Sequence, residues 1–202
     1  MGSEMCIRDS EYTEQALSEA SELNFYHLKD YQGALSNYTT LEKVAQESEN
    51  VNKAMIGQMR CFFKMTNYQY AKEYARKVLN KITDDEELEV EAQFIEGIAL
   101  KELMEYSSAL IALRRTTEIT KSIKGAEAKF GIAEIYFIQE KYEDCENEIM
   151  ELVQQKPSYD YWLAKAIILL GDNFVALGDY FCLLYTSPSP RDLSTSRMPS
   201  SA

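Results

Sequence analysis

A chain of 202 residues that is 46% hydrophobic and 27% charged carries enough apolar side chain for a real core, as one domain or a short repeat array. Its net charge of −12, from 33 Asp+Glu against 21 Lys+Arg, argues against nucleic acid or an anionic membrane as partner, because phosphate binding needs clustered cations. No apolar run reaches membrane-spanning length, and the four cysteines at 6, 61, 145 and 182 show no CxxC or Cys/His ligand spacing, so neither a zinc site nor a disulfide framework is predicted.

In chain order, Met1–Ser10 lacks the apolar stretch of a secretory signal. A first helix is predicted near 12–28, with a tight turn at Leu28-Lys29-Asp30 and a partner helix near 31–47. The loop at residues 48–51 leads to helices near 51–65 and 69–82, joined at Met65-Thr66-Asn67. The acidic loop at residues 83–87 precedes helices near 87–104 and 107–121. Helices near 124–139 and 143–155 follow, then the loop at residues 155–158 and a helix near 159–177. Asp and Ser in these loops can cap the helices that follow them.

These elements repeat. Tyr31, Tyr68, Tyr106, Tyr142 and Tyr180 recur at spacings of 37, 38, 36 and 38 residues. Six residues before each stands Phe25, Phe62, Leu100, Tyr136 or Phe174, and three after the first four stands Ala34, Ala71, Ala109 or Cys145. Nine before, Gly97, Ala133 and Gly171 are small, whereas Glu22 and Met59 are not. Pro157, fifteen after Tyr142, stops a second helix. A small residue lets two helix backbones approach, and aromatics fill the wedge between neighbouring hairpins.

The pattern resembles the tetratricopeptide repeat (TPR) and covers nearly all of residues 10–181. The resemblance implies an all-α, right-handed α-solenoid of antiparallel helix hairpins, with four full units and the first helix of a fifth. The period exceeds the family's usual ~34 residues, so extra residues between units are expected. The last helical stretch, residues 159–181, is most similar to units of long bacterial cell-envelope repeat proteins, which leans the localisation toward periplasm or envelope without excluding cytoplasm.

In this family the first helices line a concave groove. The resemblance places groove positions twelve, eight and five residues before each tyrosine. They include Ile56, Phe94 and Phe130, then Arg60, Glu134 and Asp172, then Phe63, Lys101 and Phe137; Lys64 adjoins them. The expected groove has an aromatic middle of Phe63, Phe94, Phe130 and Phe137, a cationic zone of Lys53, Arg60 and Lys64, and acidic positions at Glu102, Glu134 and Asp172. Such a groove suits a peptide or partner segment, with apolar groups supplying burial and charges setting direction. A carboxylate clamp is disfavoured, since only the second unit offers two groove cations and no groove Asn accompanies them.

Catalysis has poor support. His27 is the only histidine, and no Ser/His/Asp or Cys/His constellation forms around it. The run Asp84-Asp85-Glu86-Glu87 lacks the alternation and Gly of a calcium loop and reads as helix capping. No cofactor and no metal are predicted. The expected function is a non-enzymatic interaction scaffold with a protein or peptide partner, without nucleic acid or membrane insertion. The alternatives are an architectural, self-associating segment of a longer envelope repeat protein and the helical regulatory region of a multidomain enzyme.

Both ends depart from the repeat. Met5–Ser10 back-translates to DNA whose reverse complement, in a shifted frame, encodes Cys182–Thr186; extension through Met1 encodes Ser187–Pro190. One inverted element thus yields both ends, and it resembles a transposase-type sequencing adapter. Residues 1–9 and 182–202 are therefore expected to be adapter-derived, the latter a disordered tail, on an array truncated at both ends. A GTG start points to a bacterial reading frame on a metagenomic fragment.

Overall fold

The computed structural model describes residues 2–82 and 84–178, with side chains from residue 12 onward. The described residues are helical with no strand: α1 Gly2–Glu22, running into a π-helical segment Leu23–Leu28, then α2 Tyr31–Val44, α3 Ser48–Lys64, α4 Tyr68–Lys81, α5 Glu86–Glu102, α6 Tyr106–Ile119, α7 Ile123–Ile138, α8 Tyr142–Gln154 and α9 Asp160–Leu177. These are four antiparallel hairpins and the first helix of a fifth, close to the predicted spans. The one large difference is at the front, where α1 begins at Gly2 rather than near residue 12. Residues 3–11 contain neither Gly nor Pro, so nothing interrupts the helix there. Tyr180 and the tail at residues 182–202 lie outside the described residues.

The chain forms two units, α1–α6 and α7–α9, divided after Thr120. Within each, every helix packs against the next. The second helices bury one face, at three, seven and ten residues past each tyrosine: Ala34, Tyr38 and Leu41; Ala71, Ala75 and Val78; Ala109, Leu113 and Thr116; Cys145, Ile149 and Leu152. That is the i, i+4, i+7 stripe of an amphipathic helix. First helices are buried more fully; α5 hides Leu88, Val90, Ala92, Phe94, Ile95, Gly97, Ala99 and Leu100. Each large aliphatic residue wholly removed from water, such as Leu113 or Ile149, contributes roughly 1.5–3 kcal/mol. Close approach depends on glycine twice: a Cβ on Gly57 would lie 2.4 Å from the Tyr38 ring, and one on Gly97 would lie 2.6 Å from Leu113.

The hairpin turns share one backbone solution. Thr66, Met104 and Glu140 adopt left-handed φ values of 56°, 62° and 59°. In each turn the next two amides reach back to the helix: Thr66 N and Asn67 N donate to Phe63 O and Phe62 O at 3.0 and 2.9 Å, and the same pair of bonds recurs at Met104-Glu105 and Glu140-Lys141. This Schellman closure satisfies carbonyls that the helix end would leave open. The aromatic or leucine six before each tyrosine (Phe62, Leu100, Tyr136) is the residue whose carbonyl accepts from the amide five residues on.

The first hairpin closes differently. Through Leu23–Leu28 the helix is π-helical, and both Lys29 N and Asp30 N donate to Asn24 O. A π turn holds one more residue than an α turn, so residues before Leu23 are shifted by one in the repeat register. The sequence puts Glu22 where a small residue is required; the structure puts Ser21 there, wholly buried, its hydroxyl donating to Leu17 O at 2.6 Å. Further along α1, buried Glu14 accepts from Gln46 N at 3.0 Å and Asn50 Nδ2 at 2.7 Å, fastening α1 to the α2–α3 connection.

Candidate functional site

Three first helices of the α1–α6 unit converge on a cleft of about 500 Å³. Its apolar wall consists of Tyr26 from the π segment, Tyr38 from α2, Ile56 from α3, and Ile82 and Leu88 flanking the start of α5. Tyr38 reaches the cleft from a second helix because it lies against Gly57, which has no Cβ to block it. Its hydroxyl is held well above the usual tyrosine range, first by burial and then by Cys61 and Glu22 nearby.

Charge in the cleft is organised around Arg60. Its guanidinium forks onto Glu91, with Nε to Oε1 at 2.9 Å and Nη2 to Oε2 at 2.6 Å, while Nη1 donates to the Tyr26 hydroxyl at 3.1 Å. Burial works against the charge on Arg60, but the paired bonds to Glu91 outweigh it and raise its pKa above the ordinary value. Lys53 stands 3.8 Å from Glu22. With Glu49, Asp85 and Glu87 also on the wall, the cleft holds five carboxylates against two cations, a formal charge of −3.

The structure therefore brings together part of the predicted set. Ile56, Arg60 and Lys53 line the cleft, as Tyr26 does. Lys64 is exposed in the last turn of α3 and away from the cleft lining. Lys101 is paired with its neighbour Glu102 at 3.4 Å. Phe94 is only 6% exposed and meets Phe63 edge-on at 6.3 Å, so this pair packs between hairpins instead of forming an open aromatic floor. In the α7–α9 unit Phe130 is equally buried, stacked obliquely on Trp162 at 5.6 Å, and Phe137 meets Tyr142 edge-on. Glu134 is half-buried on α7, and Asp172 is exposed on α9. The physical reason is simple: a large ring twelve before the tyrosine points at the neighbouring hairpin, and the wedge between hairpins is where it fits.

The predicted cationic zone is the larger correction. Arg60 and Lys53 are paired with Glu91 and Glu22, acids that the three offsets did not include, and Lys64 lies outside the cleft. Glu91 and Lys53 both stand fifteen before their tyrosine, one turn further along the same helix face. Lys53 already belongs to the predicted zone, and extending the offsets by that turn would have added Glu91. Glu22 was masked by the π-helical shift, and Asp85 and Glu87 carried a capping reading that is correct for Asp85, whose carboxylate accepts from Leu88 N at 3.0 Å. His27 is exposed in the last turn of the π segment. Among the described residues no group of three or more His, Cys, Asp or Glu is placed to hold a metal ion, and no helix is long and apolar enough to cross a membrane.

Two solved structures share this architecture. A crystal structure of MamA protein superposes with a TM-score of 0.72 over 94% of this chain and 98% of that one, at 15% identity. The fold is TPR-like. A second MamA structure, of MamA AMB-1, gives a TM-score of 0.65 over 94% of each chain at 10% identity. No family profile matches the sequence, and no curated protein does.

Proposed function

We propose that the chain is a non-enzymatic interaction scaffold that receives an extended segment of a partner protein in the cleft of its α1–α6 unit. The observation that carries this reading is the cleft itself. It is a concave site on first helices, walled by Tyr26, Tyr38 and Ile56, with charged groups held in fixed places by Arg60 and Glu91. Concave sites of a few hundred Å³ that set oriented polar groups beside an apolar wall are a common form of binding site. The two described cysteines are buried with thiols pushed up by that burial, which suits packing and not nucleophilic chemistry.

The test is to pan a randomised dodecapeptide library against the full chain and titrate the selected peptides. Ile56→Arg fills the apolar wall with a long cationic side chain and should abolish binding while the far-ultraviolet circular dichroism stays helical. Peptides that bind the Ile56→Arg variant as well as the parent would remove the cleft from the proposal.

A second reading has its own observation. On α9 the residue twelve before Tyr180, Ile168, is 67% exposed, whereas Phe94 and Phe130 at the same repeat position are buried. Tyr161, Val175 and Leu177 are also open on that helix. An architectural role, in which α9 receives another helix, predicts concentration-dependent association in sedimentation that Ile168→Asp suppresses. We read residues 1–9 and 182–202 as adapter-derived; sequencing outward from the codons for residues 40–150 in source DNA tests that.

A further inference from the structure

The chemistry of the partner segment follows from how the cleft's charges are already spent. Both cations in its wall are engaged, Arg60 by Glu91 and Lys53 by Glu22. Asp85 is occupied in capping α5. Glu49 and Glu87 hold no cation among the described residues, and each stands in the first turn of its helix, α3 or α5. Helix dipoles account for acids at those two places along the chain. They do not account for both facing one cleft beside tyrosine and isoleucine side chains. A separate feature points the same way: Asn52 lines the cleft with its carbonyl oxygen buried and lacking any hydrogen-bond donor. A buried acceptor left open is unfavourable, and a turn of the Asn52 amide toward the cleft would offer it to an entering donor.

We propose that the cleft takes a lysine or arginine side chain carried on an extended segment of a partner protein. This rests on the cleft being the docking site. The cationic head sits among Glu49, Glu87 and the Asn52 carbonyl oxygen, and its aliphatic stem lies along Ile56 and Tyr26. The long stem of Lys or Arg suits a site with an apolar wall and an acidic end. The chain shows such an arrangement within itself, where the Arg60 guanidinium is shared between a carboxylate and the Tyr26 hydroxyl. An acidic partner segment is disfavoured by the formal charge of −3 on the wall.

The experiment uses peptides selected from the same library, measured by fluorescence anisotropy against four versions of the 202-residue chain: parent, E49Q/E87Q, E143Q/D144N and Ile56→Arg. Glu143 and Asp144 are exposed in the other unit and give the same change in net charge away from the cleft. The expected result is that selected peptides carry a Lys or Arg at a fixed position beside an aliphatic residue. Changing that residue to Gln, or introducing E49Q/E87Q, should each weaken binding about tenfold or more, and E143Q/D144N should weaken it less than about twofold. A melting curve for E49Q/E87Q, still cooperative, confirms that the loss is not unfolding.

Selected peptides without a cation, or equal loss from both double variants, overturn the inference; the second outcome reports bulk charge attraction. Spermidine binding as tightly as the peptides would also overturn it, by making the ligand a free polyamine. In any of these cases Ile56→Arg separates the two levels. Loss of binding in that variant keeps the cleft as the docking site with a different occupant, and retained binding removes the site as well. A library that yields no binder defeats both.

Discussion

Gly57→Ala is expected to destabilise the α1–α6 unit, although alanine is the better helix former. A Cβ there would lie 2.4 to 2.5 Å from three ring atoms of Tyr38. Carbon atoms settle at about 3.5–4.0 Å, so roughly an ångström of overlap has to be relieved. Tyr38 is 4% exposed and cannot swing into solvent; it must be driven toward the cleft or push α2 from α3. Overpacking typically costs about 1–3 kcal/mol, and an overlap of this size against a buried ring belongs to the upper part of that range, about 2–3 kcal/mol. Replacing a mid-helix glycine returns about 1 kcal/mol. The balance is a loss of about 1–2 kcal/mol, read from urea unfolding as a lower midpoint at unchanged slope. Tyr38→Leu removes the obstructing ring, so the double variant should be less destabilised than the sum of the singles by about 1 kcal/mol or more. A Gly57→Ala protein as stable as the parent, or strict additivity with Tyr38→Leu, would refute the argument that this contact sets the α2–α3 spacing.

Other expectations concern turns, caps and thiols. Thr66 is β-branched at a φ of 56°, so Thr66→Gly should raise stability by about 0.5–1 kcal/mol, the left-handed penalty exceeding the added chain entropy; thermal unfolding measures it. Asp85→Ala removes the cap of α5 and should lose about 1 kcal/mol, while Asp85→Asn retains most of it in the same assay. Burial pushes the Cys61 thiol up to about 12 and the Cys145 thiol up to about 11 from an ordinary 9.0. Both thiols are neutral in folded and unfolded chains below pH 9.0, so their contribution is complete there; above it the unfolded thiols ionise first and stability falls until the folded values are reached. Urea midpoints at about pH 8 and about pH 10 should therefore diverge less in a Cys61→Ala/Cys145→Ala protein than in the parent.

The helices were legible because burial and backbone capping write themselves locally. A tyrosine opens each second helix, a small residue three later meets the first helix, and the stripe continues at seven and ten. The groove was legible only in part, because a fixed offset names a helix face without saying what stands opposite it. Phe94 and Phe63 share that face yet meet each other, and Arg60 faces a carboxylate from the next hairpin. Neither pairing has a sequence signature, since both depend on the packing of side chains 31 residues apart. Glu22 was hidden for a different reason: no residue type marks a π turn, and a one-residue displacement reassigns every position before it.

That displacement has a consequence for how such chains acquire length. An added residue inside a helix would ordinarily turn everything on one side of it by about 100°, carrying buried groups into water. Here the added residue is absorbed within Leu23–Leu28, so Ser21 still meets its neighbour and Tyr26 still faces Arg60. A relative lacking this residue should carry a regular helix and the same cleft. Aligned letter by letter, it would appear to have exchanged Glu22 for serine while conserving every wall of the site. The insertion would be visible only to an alignment that follows the helix face.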